Sequence, residues 1–331
     1  MLYDSIRAKG PISVAHYMNM CLSHPIEGYY MKGEPIGARG DFITSPEISQ
    51  LFGELVGIWL ASQWLERGQS RPIRMVELGP GKGTLMDDML RTFESIGQTR
   101  GRIQSVHLVE TSARLQEEQR KRLGTRISET LLHWHNRAED IPKDDSTFTL
   151  LVAHEFFDAI PIHIIEKTST GFQEVLVDID RTAQTGATLS PPLLNVSSPL
   201  ATKSRPSTFR YVISGPLSPL AHTLSKSSPR FSKVPNESRI EVSPASWSIA
   251  RTVGELVSEG GAGLVIDYGD DRAFGSSFRA FQKHKLVDVF DEPGLCDLTA
   301  NVDFAYLKEA FGSTGELPAV PLHYILIIVG G

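Results

Sequence analysis

The sequence predicts an α/β fold: a doubly wound, mostly parallel sheet with an N-terminal helical cover and an inserted region. Three observations predict it. An apolar strand, Ile73 to Leu78, runs into a glycine-rich turn and a helix; a second strand, Val106 to Glu110, ends in an acid and precedes a polar helix; and a strong apolar run, Phe148 to Ala153, continues the alternation. Strands alternating with helical patterns mark a parallel sheet covered on both faces. At 331 residues the chain can form one large domain with an insertion.

The first clear helix begins at Thr44-Ser45-Pro46-Glu47, where Thr44 can cap, Pro46 suits the first turn and Glu47 stands where a capping box wants an acid. Ile48, Leu51, Phe52, Leu55 and Trp59 recur at helical spacing and predict a buried face to about Glu66. Before it, Gly28 to Phe42 reads as an ordered loop. After the strand at 73–78, Gly79-Pro80-Gly81-Lys82-Gly83 opens a helix from Thr84 to about Ile96, Ser112 to Leu123 reads as a helix, and Leu131 to Trp134 as a strand. Beyond Pro161, Ile162 to Lys167 and Phe172 to Val177 predict a hairpin around Thr168-Ser169-Thr170-Gly171. Nine of the 20 prolines fall between Pro191 and Pro244, so 189–238 is expected to hold little regular structure beyond Phe209 to Ile213. The pattern resumes with a helix over Ala245 to Glu259 and a strand over Gly263 to Asp267. The expected segments are 1–70 (cover and helix), 71–161 with 245–316 (core), 162–244 (hairpin and Ser/Pro-rich insertion) and 317–331 (an atypical tail).

Composition narrows the function classes. A net charge of −6 offers no basic field for nucleic acid or an anionic membrane. The two cysteines, Cys21 and Cys296, are far apart and form no C-x-x-C pair, which removes a disulfide scaffold and a zinc ribbon and fits a reducing compartment. The longest apolar run, Tyr324 to Val329, is far shorter than the roughly 18–20 residues that cross a bilayer.

Three nucleotide-binding readings compete for the glycine turn. A Walker A loop needs Gly five residues before Gly81 and Ser or Thr after Lys82, where Val76 and Gly83 stand. A dinucleotide fingerprint places its third glycine five residues after the first; here the distance is four, from Gly79 to Gly83, and Glu77 precedes the set. Hydride transfer is therefore the second choice. The pattern acid-x-Gly-x-Gly-x-Gly resembles motif I of class I S-adenosylmethionine-dependent methyltransferases. Glycines let backbone approach the methionyl part of that cofactor, Glu77 can meet its amino group, and Glu110 stands where a carboxylate can accept ribose hydroxyls.

In an open parallel sheet, ligands bind beyond the carboxyl ends of the strands, which nominates His154, Glu155 and Asp158 after the 148–153 strand. Their spacing lacks a second histidine and matches no zinc pattern, so no metal is assigned. Paired carboxylates suit a guanidinium acceptor, whose fork of N–H donors matches them and whose pKa above about 12 precludes easy deprotonation. A structural reading also stands: Asp158 can cap the next turn and His154 can satisfy backbone groups.

Four ordered blocks, Gly40 to Glu54, Val76 to Leu85, His154 to Pro161 and Asp297 to Phe304, are similar to the signature blocks of the MidA-type methyltransferases, mitochondrial protein arginine methyltransferases that act as respiratory complex I assembly factors. The resemblance runs from about Gly10 to Phe311. It implies a class I methyltransferase (Rossmann-like) fold and symmetric dimethylation of an arginine on a peripheral-arm core subunit of complex I, with S-adenosylmethionine as donor. It also implies a mitochondrial matrix location. Glu77, Gly79, Gly81, Gly83 and Glu110 become cofactor positions, and Glu155 and Asp158 acceptor positions. Asp41, Thr44, Ser45 and Glu47 are expected in a cover over the cofactor, and His154, Asp267 and Asp297 on the substrate side. The alternatives are a non-catalytic assembly factor binding its client through the same cleft, and methylation of another acceptor. Beyond Phe311 the family implies further sheet strands, whereas 317–331 reads Pro-rich and then apolar and predicts an open sheet edge.

Overall fold

The computed structural model describes residues 1–31, 44–68, 70–181, 208–215, 218–258, 260–312, 319–322 and 325–329. They belong to two compact units, one of Met1–Gly33, Ile160–Pro244 and Ala273–Ala300, the other of Glu34–Ala159, Ala245–Arg272 and Asn301–Gly331. The expected segments 1–70 and 245–316 are thus each divided. Among the described residues no helix is long and apolar enough to cross a membrane.

The second unit is built on a seven-stranded sheet of β1 (Ile73–Leu78), β2 (Ile103–Val109), β3 (Leu132–His135), β4 (Phe148–His154), β5 (Gly261–Ile266), β6 (Ala319–Leu322) and β7 (Ile325–Val329), in the order β3-β2-β1-β4-β5-β7-β6. The first five run parallel; β7 is antiparallel to both β5 and β6. The chain order reverses between β1 and β4, the switch point where ligands of such sheets bind. All six residues of β1 and all seven of β4 are buried, as expected of central strands covered on both faces. Fully burying each large aliphatic side chain contributes about 1.5–3 kcal/mol, so this pair anchors the sheet.

The tail expected to leave an open edge instead supplies two strands. Ile325–Val329 pairs with β5 from Ala262↔Val329 to Ile266↔Ile325, and Ala319–Leu322 lies outside it. Four of the five residues in Ile325–Val329 are β-branched, which favours extended backbone.

Helix packing corrects a second expectation. The 44–66 pattern is two helices, Ser45–Ile48 and Gln50–Arg67, separated by Ser49 in an extended conformation (φ −148°, ψ 118°). Ile48, Leu51 and Leu55 are 71%, 60% and 56% exposed, whereas Gly53, Val56, Gly57, Leu60, Ala61 and Trp64 face inward; Phe52 and Trp59 are partly buried. The two glycines decide the face. A Cβ on Gly53 would sit 2.5 Å from Asp88 Cβ, and one on Gly57 2.9 Å from Thr92 Cβ. Close approach to the helix Thr84–Ser95 thus selects the small-residue side over the more apolar one.

In the first unit, His163–Thr168 and Gly171–Ile179 form the expected antiparallel hairpin; Arg239–Val242 pairs with its first strand, and Phe209–Ile213 and Ile12–Ser13 with its second. Several features went unpredicted. The Ser/Pro-rich stretch contains a helix, Pro219–Ser225, capped by Ser218, and a three-stranded sheet forms within 279–299. The helices Leu2–Lys9 and Val14–Ser23 also precede the first one expected; Val14, Tyr17, Met18, Cys21 and Leu22 of the latter are buried. Segment 273–300 belongs to this unit because buried polar groups tie it there. Glu241 accepts from Ser277 N at 2.7 Å and Phe278 N at 3.0 Å, and Tyr17 donates to Val289 O at 2.7 Å. Both cysteines are buried, and the Cys296 thiol donates to Asp291 O at 3.2 Å.

Candidate active site

At the end of β1 the backbone must turn sharply, and the glycines permit it: Gly79, Gly81 and Gly83 have φ of +65°, +52° and +76°, the left-handed region that favours glycine. Gly83 is the cap of the helix Thr84–Ser95, whose Leu85, Met86, Met89, Leu90 and Phe93 are buried. The turn is closed by Gly83 N to Pro80 O (2.7 Å) and joined to β2 by Gly79 N to Val109 O (3.1 Å). Glu77, 3% exposed, keeps its Oε2 without a hydrogen-bond partner among the described residues. Desolvation pushes its pKa up to about 8. Glu110, just past β2, accepts from Ser112 N at 2.8 Å, and burial raises its pKa too.

Glu47 is not the reciprocal partner of Thr44: the Thr44 side chain makes no capping bond, and the Glu47 carboxylate accepts the hydroxyl of Thr84 instead. That contact ties the Ser45–Ile48 turn to the start of the Thr84–Ser95 helix. Asp41 lies outside the described residues.

The register β1–β4–β5 aligns Leu78 with Ala153 and His154 with Ile266, so the turn after β4 stands beside the glycine turn. Phe156 packs there, since a Cβ on Gly79 would lie 2.9 Å from its ring. Glu155 adopts φ +48°, a conformation L residues rarely take, and its N–H donates to Ile266 O at 2.8 Å. Non-glycine residues held in this region cluster at functional sites. His154 is buried, with Nε2 3.4 Å from Glu155 Oε1 and its ring 5.0 Å from that of Phe52. Burial lowers its pKa to about 4, so it is neutral at pH 7 and adds no positive charge beside Glu155. Asp267, directly after β5, is buried; its carboxylate accepts from Phe156, Phe157, Asp158 and Tyr268 amides. Asp297 belongs to the first unit, where it is buried in the strand Asp297–Thr299 and accepts from the Tyr30 hydroxyl at 3.1 Å.

The expected residues of the second unit therefore meet at the carboxyl ends of neighbouring strands: Glu77 on β1, Glu110 after β2, His154, Glu155 and Asp158 at β4, and Asp267 after β5. One residue was missed. Gln119, fully buried in the helix Ala113–Leu123, donates to Gly81 O at 2.7 Å, lies 3.5 Å from Glu110 Oε2 and accepts from Trp134 Nε1 at 2.8 Å. The signal was present as a polar residue on a buried i, i+4, i+8 stripe, Leu115, Gln119, Leu123.

A family model described as "Putative S-adenosyl-L-methionine-dependent methyltransferase" matches residues 55–320. The chain belongs to this family. Among its relatives, the zebrafish (Danio rerio) protein named "Protein arginine methyltransferase NDUFAF7, mitochondrial" is 38% identical over 330 residues, covering 94% of this chain and 71% of its own. The human protein of the same name is 37% identical over 350 residues, covering 99% and 72%. A crystal structure of a superfamily member from Burkholderia thailandensis bound to S-adenosyl-homocysteine has the same fold, with a TM-score of 0.71 at 24% identity over 96% of this chain and 76% of that one. The strand order, with its single reversed strand, is therefore that of a class I methyltransferase fold, and the cofactor of this methyltransferase is S-adenosylmethionine.

The residues present fit that cofactor. Glu77 offers a buried carboxylate oxygen that lacks a donor among the described residues, matching an ammonium; the three glycines bare the backbone beside it; and Glu110 offers carboxylate oxygens. The raised pKa of Glu77 gives a pH signature. In the donor-free protein its contribution to stability is fully present below about pH 4.5, its ordinary value, and is lost as pH rises through about 8. At pH 7 an ammonium placed against Glu77 favours the carboxylate, so donor binding releases a proton. Calorimetry in buffers of different ionisation enthalpy is expected to show this release in the wild type and not in Glu77→Gln; equal buffer dependence in the two contradicts it.

Gln119→Leu is expected to lower the melting temperature and weaken donor binding together. Leaving the N–H of the half-buried Trp134 indole unpaired costs at most about 1–3 kcal/mol, and the glycine turn loses its tie at Gly81. Thermal melts and calorimetry check this; an unchanged melting temperature contradicts it.

Proposed function

We propose that this methyltransferase acts on protein arginine, dimethylating symmetrically an arginine in a peripheral-arm core subunit of mitochondrial complex I and so supporting assembly of that complex in the matrix. The observation that carries the arginine reading is the turn after β4, where Glu155 and Asp158 flank Phe156, itself packed against Gly79 of the cofactor turn. The names of the relatives, protein arginine methyltransferase and mitochondrial, support the acceptor and the location. Resemblance to the complex I assembly family supports the client.

S-adenosylmethionine supplies a methyl group on a sulfonium, an electrophile that a nitrogen lone pair can take. The chain's residues must therefore bind a cationic guanidinium, orient one nitrogen and receive the proton that nitrogen sheds. Two carboxylates three residues apart match its donor fork and concentrate electron density on the attacking nitrogen. Glu155 or Asp158 is the base within reach of that proton. Holding both acids on a turn fixed to β5 provides orientation and electrostatic preorganisation.

Incubating the protein with donor and purified peripheral-arm subunits, then locating methyl groups by tandem mass spectrometry, tests the reading. Two methyl increments on one arginine, one on each terminal nitrogen, are expected. Donor binding without transfer favours a non-catalytic binding factor, and methyl on another side chain overturns the arginine assignment.

A further inference from the structure

We infer that Asp267 is the positioning residue of the acceptor turn: its buried carboxylate holds Glu155 and Asp158 in place by collecting the amides between and beside them, and it does not touch the acceptor itself. The inference rests on the arginine reading above and deepens it.

Three successive amides converge on one oxygen. Asp267 Oδ2 accepts from Phe156 N at 3.1 Å, Phe157 N at 2.8 Å and Asp158 N at 3.3 Å, while Oδ1 accepts from Tyr268 N at 2.8 Å. Successive N–H groups pointing at one spot make an anion-binding concavity; here the anion comes from the neighbouring strand. The preceding residue on that strand, Ile266, accepts the N–H of Glu155 at 2.8 Å. Two consecutive residues at the end of β5 thus take up four consecutive amides, 155 to 158. Glu155 sits at φ +48°, which its own side chain does not favour, so an outside constraint must hold it. At 3% exposure Asp267 has both oxygens occupied by backbone amides, which gives a buried acid its reason to stand there.

An asparagine keeps the volume but turns one acceptor into an NH₂ group facing N–H donors. Asp267→Asn is expected to lower turnover on the peripheral-arm subunits, per folded molecule, by about 10²-fold. Donor affinity by calorimetry should stay unchanged, because Glu77 and Glu110 stand on other strands. Since Asp267 acts through the turn, Asp267→Asn should slow Glu155→Gln by less than the factor by which it slows the wild type, whereas a merely structural residue would show a lowered melting temperature with normal turnover of the folded fraction. Wild-type turnover in folded Asp267→Asn, with Glu155→Gln impaired, overturns this inference alone; a wild-type rate in Glu155→Gln overturns the arginine reading and the inference with it. Should Asp267→Asn fail to fold, hydrogen exchange on the wild type decides. Protected Phe156, Phe157 and Asp158 amides are expected, and exchange at unprotected rates overturns the inference.

Discussion

Glu155→Gln is expected to lower methyl transfer to the client by about 10²–10³-fold, the range seen when one preorganised electrostatic contact to a reacting group is removed. The amide keeps the shape of the side chain but presents N–H donors to a guanidinium that is all donors, and it cannot take the departing proton. Donor affinity should stay at its wild-type value, because Glu77, Glu110 and the glycine turn belong to β1 and β2. The loss therefore falls on turnover with cofactor binding intact, as for an interaction made to the acceptor in the transition state. Asp158→Asn should act in the same direction, with the double variant less than additive if both acids serve one nitrogen. Single-turnover rates with saturating donor measure this directly. Asp158 also supplies its amide to Asp267, so the melting temperature of each variant is needed to separate a lost contact from a loosened turn.

Gly81→Val is the second large effect: donor binding should fall below detection in a protein that still folds. At φ +52° a β-branched residue is strained by an amount of order 1–3 kcal/mol, and relief requires the turn to move. Movement breaks the bond from Gln119 Nε2 to Gly81 O and draws Gln119 away from Glu110 and Trp134. In the proposed cofactor site, the side chain also enters the space left for backbone to meet the methionyl part. Each 1.4 kcal/mol costs about tenfold in affinity, so strain and obstruction together suffice. Calorimetry with S-adenosylmethionine, alongside circular dichroism to establish folding, checks the result; wild-type affinity in a folded variant would remove the glycine turn from the cofactor site.

The core strands were legible because each is a short apolar run bounded by glycine, proline or an acid: Ile73–Leu78 and Phe148–His154 lie within a residue of the expected bounds. The glycine turn was legible because only glycine tolerates three positive φ angles in five residues. The inward face of Gln50–Arg67 was not, since hydrophobic periodicity ranks Leu51 and Leu55 above Gly53 and Gly57, and only the neighbouring helix shows that small residues admit it. The sheet strands within 279–299 are three or four residues apiece, too short for periodicity to speak. At the site, an acid at a strand end reads the same whether it faces substrate or backbone. Asp267 and Asp297 were both nominated for the substrate side, yet one gathers amides and the other takes a tyrosine hydroxyl. Glu77 and Glu155 differ from them in physical terms, the first by a buried oxygen without a donor among the described residues and the second by a backbone held against its preference.

The most direct measurement is a crystal structure with S-adenosyl-homocysteine and an arginine peptide from the client. The homocysteine amine is expected on Glu77 Oε2, the ribose hydroxyls on Glu110, and the guanidinium between the carboxylates of Glu155 and Asp158. An arginine bound away from Glu155 and Asp158, with the cofactor in place, would contradict the two-acid acceptor site.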